Sequence, residues 1–155
     1  MATRSVVLAV RPIGAVVLCL LAFVAVERTA AAATVPLRAT VIAASNQGAG
    51  IDEKLGTLVK QLNEAFKYSK YDLVGNHGGD AQVGQAWKAS LPGNRTLEVT
   101  PTAVADGQYK LQVRVLGPTG EPVMTSNVNL RPGGTVLIGG PPHPPGVLII
   151  ALSAS

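Results

Sequence analysis

The chain has 155 residues, one cysteine, thirteen Lys+Arg against nine Asp+Glu, and a mean hydropathy of +0.31. One cysteine excludes an internal disulfide and any metal site built on several thiolates. A formal net charge of +4 is too slight to demand a nucleic-acid or other strongly charged partner.

The first 33 residues read as a signal peptide. Arg4 and Arg11 lead, residues 13–26 ("IGAVVLCLLAFVAV") are apolar and uncharged, and "ERTAAAAT" supplies small residues for cleavage after Ala32 or Ala33. The alternative is an inner-membrane anchor through residues 13–26, but a spanning helix wants about 20 apolar residues, and Arg11-Pro12 blocks extension backward. Leu18 before Cys19 argues against a lipid anchor there. The remainder, 34–155, has the length of one domain able to bury its own core. The leader takes three basic and one acidic residue with it, so what remains is close to neutral.

"VPLRATVIAAS" (35–45) is a strand that starts by alternating and ends apolar on both sides. After the loop "NQGAG", Ile51, Leu55, Leu58, Val59, Leu62 and Phe66 recur at helical spacing and predict one amphipathic helix over about 51–67. "YDLVG" then predicts a short strand, and the glycine-rich "GNHGGD" a loop.

From there the pattern is short strands between turn signals. "VGQAWKASL" alternates, "LPGNR" turns and "TLEVT" follows. "ADGQ" carries an Asp-Gly hairpin signal. "YKLQVRVL" alternates cleanly, with Tyr109, Leu111, Val113 and Val115 on the inner face. "VMTSNVNL", "TVLIGG" and "GVLIIALS" are further strands, the last two joined by "PPHPP", read as a stiff loop. The expected fold is α+β and mainly antiparallel: about seven to eight strands in a sandwich or partly open barrel, with one helix packed on it.

Only "VIAA" and "VLIIAL" are continuously apolar. A strand covered on one face alternates, whereas one covered on both does not. These two stretches are therefore expected side by side at the most buried place of the sheet, with the helix over one face.

Catalytic signatures are few. Gly48 and Gly50 precede the helix, but a third glycine would have to stand at Glu53, so no dinucleotide fingerprint forms. No G-x-S-x-G is present, and no serine has a histidine within its own segment. "NHGGD" offers Asn76, His77 and Asp80, too few ligands for a metal. No cofactor is implied.

The stretch "VNLRPGGTVLIGGP" (128–141) resembles a hairpin of the outer-membrane secretin barrel domain, through Val128–Leu130, Gly133-Gly134, Thr135–Ile138 and Gly139-Gly140. It departs from that family at Pro141, where the family pattern has leucine, and in lacking repeated periplasmic domains. The chain as a whole is similar to small uncharacterised exported proteins of Gram-negative bacteria. These resemblances imply an envelope address and a link to a secretion or pilus system.

The sequence reading is thus an exported, periplasmic or extracellular, non-catalytic binding or assembly module whose partner is an envelope protein. Its expected contact residues are Asn76, His77 and Asp80, the outward sheet positions Lys88, Lys110 and Arg114, and His143. The alternative is a small periplasmic hydrolase with a loop-assembled site near His77 and Asp80.

Overall fold

The computed structural model describes residues 32–155. The signal assignment, the apolar run 13–26 and Cys19 lie outside the described residues, apart from Ala32 and Ala33. The elements in chain order are β1 (Thr34–Ser45), β2 (Gly50–Ile51), a 3-10 turn (Glu53–Leu55), α1 (Leu58–Ala65), β3 (Lys70–Gln82), β4 (Trp87–Leu91), β5 (Arg95–Ala105), β6 (Gln108–Leu116), β7 (Pro122–Leu130), β8 (Thr135–His143) and β9 (Gly146–Ala154). This is the mainly antiparallel α+β fold the pattern predicts.

Two sheets form, ordered β2-β3-β1-β9-β8 and β4-β5-β6-β7. Apart from β2, each strand follows its predecessor around a ring, and β9 closes it by pairing with β1. The ring is open at two seams, β3/β4 and β7/β8, where the chain passes from one sheet to the other without ladder bonds.

The two apolar runs lie side by side: Val41 pairs with Ile150, Ile42 with Ile149 and Ala43 with Leu148. Val41, Ile42 and Leu148 to Ile150 are completely buried. Alternate residues of β9 serve two cores. Leu148, Ile150 and Leu152 face the space between the sheets, with Val35, Leu37, Val41, Leu97, Val99, Leu111 and Val113. Ile149 and Ala151 face outward, under the helix, with Ile42, Ala44, Leu55, Leu62 and Tyr71. Each such aliphatic side chain contributes roughly 1.5–3 kcal/mol.

The helix is shorter than its periodicity predicts. Gly56, at φ +46°, ends the 3-10 turn and separates it from α1. Asp52 caps that turn, accepting from the Lys54 N–H at 3.0 Å, and Ile51 is exposed because it joins β2, beside Tyr71. The other apolar positions of the stripe pack as expected, Leu55 and Leu62 buried and Leu58, Val59 and Phe66 against them.

The segment "GNHGGD" is a strand and not a loop. β3 runs through it, paired with β1 from Gln82 back to Lys70. Its glycines make room: a Cβ at Gly79 would run into the Trp87 indole, and one at Gly75 would lie 3.1 Å from the His77 imidazole. "PPHPP" is likewise mostly strand, since β8 extends to His143 and only Pro144-Pro145 turn. A Cβ at the next residue, Gly146, would overlap the Ala44 carbonyl oxygen. The expected hairpin over 128–141 is also corrected. Val128–Leu130 end β7 in one sheet and Thr135 opens β8 in the other. The Asp-Gly turn does form, with Asp106 and Gly107 at φ +55° and +69°, the geometry of a two-residue hairpin.

Candidate functional site

The helix covers only one end of the outer face of the five-stranded sheet. Toward the other end, outward positions switch from Ile42 and Ala44 to Pro36, Arg38 and Thr40 on β1, and from Ile149 and Ala151 to Ser153 on β9. Across the ladder Arg38 faces Gly78 and Ser153, and Pro36 faces Asp80. These residues, with Gly133, Thr135 and Ser155, line a hollow of about 570 Å³.

The physical character of this hollow follows from its floor. Gly78 has no side chain, and a Cβ there would meet only the Leu37 carbonyl oxygen at an ordinary 3.8 Å. Arg38 stands on one side and Asp80 on the other, each exposed. On a sheet face such diagonal neighbours are about 7–8 Å apart. A cation, an anion, three hydroxyls and a bare backbone suit a polar, extended ligand such as a peptide segment. Ser153 Oγ donates to the Arg38 carbonyl oxygen at 3.5 Å, a long contact to the backbone, and among the described residues no ion pair involves the guanidinium.

The predicted contact residues do not form one site. Asn76 and Asp80 point outward, whereas His77 is opposite buried Ala39 and turns inward. His77 and Asp80 thus leave β3 on opposite faces and share no site. His143 lies at the far end of the molecule, in a hollow of about 330 Å³ beside Ser45, Gln47, Lys70 and Asp72. Lys70 and Asp72 are themselves paired there at 3.3 Å.

Lys88 and Arg114 lie on the outer face of the other sheet, on either side of Glu98. Glu98 takes Arg114 Nη1 at 3.2 Å and Lys88 Nζ at 3.8 Å and is itself only 12% exposed. Lys110 is four residues further along β6, about 13 Å away at strand rise. The sequence reading missed Arg38. Its signal was present in the alternation of β1, where a charged outward position interrupts an otherwise apolar strand.

Among the described residues, no group of three or more His, Cys, Asp or Glu side chains is placed to hold a metal. Among the described residues Glu121 is the one carboxyl held clearly below the ordinary range, by the Thr119 hydroxyl, and it lies in the β6–β7 turn away from both hollows. No helix of the described residues is long and apolar enough to cross a membrane. Comparison with known proteins returns no matching family model, no matching curated protein and no matching solved structure.

Proposed function

We propose that the chain is an exported, non-catalytic module of a bacterial envelope that binds or assembles with another envelope protein. The observation that carries this reading is the polar half of the five-stranded sheet's outer face, where Arg38 and Asp80 flank the glycine floor of the large hollow. Strong side-chain packing fills the space between the sheets, so recognition falls to the exterior. Export is supported by the leader pattern and by the start of β1 at Thr34, directly after the expected cleavage site. The sequence likeness over 128–141, though its two strands fall in different sheets here, is what extends the proposal to a secretion or pilus system.

Capture from envelope extract at physiological salt tests it. The wild-type protein is expected to retain a partner that Arg38→Glu and Asp80→Lys each lose at least ten-fold. No retained partner, or equal capture by all three, refutes the reading. A loss confined to Lys88→Glu moves the contact to the other sheet.

A further inference from the structure

Among the described residues the two seams leave one edge each of β3, β4, β7 and β8 without ladder bonds, and over the open stretch only β3 carries neither proline nor lysine. β3 bonds to β1 along its whole length, but on its other side β2 reaches only Lys70 and Tyr71. Asp52 Oδ2 accepts from the Leu73 N–H at 3.4 Å and closes the next position. At the opposite end the Gly84 N–H donates to the Pro101 carbonyl at 2.8 Å. Between these closures, Val74 to Gln82 has no ladder partner on that side.

The alternation of an antiparallel strand says which groups are left over. The Val83 N–H donates toward β1, to the Ala33 carbonyl at 3.0 Å. Residues on a strand turn their N–H and C=O alternately to the two sides. Gln82, Asp80, Gly78 and Asn76 therefore direct both groups to the open edge. Their outward side chains are exposed or absent, and Val74 is 42% exposed. Proteins normally blunt such an edge with proline, lysine, a bulge or a covering segment; between Val74 and Gln82 this one has only the bulge at Val74 and the charge of Asp80.

We infer that Val74–Gln82 is a self-association edge, which pairs antiparallel with the same stretch of a second copy about a two-fold axis at Gly78. Only this register uses the whole open stretch. It also sets Asn76 opposite Asp80 of the second copy, and Asp80 opposite the second Asn76. An amide donating to a carboxylate is a favourable cross-strand pair, and no like charges meet. Gly78 crosses Gly78, so the backbones approach without any Cβ, and His77 falls opposite a glycine. A two-fold contact of this kind uses one patch twice and closes at a dimer.

The inference stands apart from recognition of an envelope partner, because it is read on the purified protein alone. Sedimentation equilibrium of protein produced from the full chain, up to about 1 mM to cover weak contacts, is expected to show a monomer–dimer equilibrium. Gly78→Pro removes an N–H that β1 does not use and should abolish the dimer, as proline is tolerated at such edges. Asn76→Asp places carboxylates opposite one another and should weaken the dimer about ten-fold, whereas Asn76→Lys should tighten it by a similar factor. Both sit at an exposed position, so folding is not at stake. A monomer at every concentration overturns the inference. So does a dimer that is indifferent to Asn76, or one that moves the same way in both variants.

Discussion

Tyr71 shows how one side chain joins two elements. Its ring is buried under the helix, packed edge-to-face with Tyr68 at 6.3 Å between centroids. Its hydroxyl accepts from the Tyr68 N–H at 3.2 Å and donates to the Phe66 carbonyl at 3.0 Å. Phe66 is the C-cap of α1, whose last carbonyls have no partner within the helix. Tyr71→Phe keeps the ring and strands these partly buried polar groups. We expect it to cost about 1–2 kcal/mol and to lower the thermal midpoint by several degrees, read by circular dichroism. An unchanged midpoint would mean the hydroxyl is idle. The sequence placed Tyr71 at the start of a short strand, but its helix-capping role was not legible. That role depends on the chain returning to its own helix after Phe66, which no local pattern announces.

At the level of elements, strands declared themselves by what covers them. β6 alternates because one face is wet, while β9 is apolar throughout because the two cores meet across it. Removal of Val147–Ser155 takes away the partner of both β1 and β8. That truncation is expected to yield insoluble or protease-sensitive chain rather than a shortened domain, as limited proteolysis will show. A folded truncated protein would mean that the fold holds without the share β9 gives to either core. The helix and the glycine-rich strand were misread for physical reasons. Gly56 cuts the expected helix, and Ile51 leaves the stripe for an edge pairing; periodicity registers neither event. The glycines of "GNHGGD" looked like turn residues, yet Gly75 and Gly79 are spaces for an imidazole and an indole. Composition shows that a glycine is present without telling which neighbour uses the room. The same misreading hid the hollow, because its floor was taken for a loop.

The described residues form a ring whose first and last strands meet. Leu37 pairs with Ala154, and the Ser155 N–H donates to the Pro36 carbonyl at 3.3 Å. The strand ends therefore lie close enough for a short linker to join Ser155 to Thr34. With new ends opened at the exposed Asp106-Gly107 turn, such a permutant is expected to fold and to keep the native β-sheet spectrum, since both core faces of β1 and β9 are retained. Failure to fold would show that the order of synthesis matters and not the closed pairing alone.

The pairing of β1 with β9 also fixes a sequence of events in time. No other two neighbours in this ring are so far apart along the chain, and contacts of that kind are the slowest to form. As the chain emerges, from a ribosome or from a translocation channel, β1 has to wait for its partner until β9 is out. A knot tied last stays loose until then, and the polypeptide remains a thread that can still be pulled.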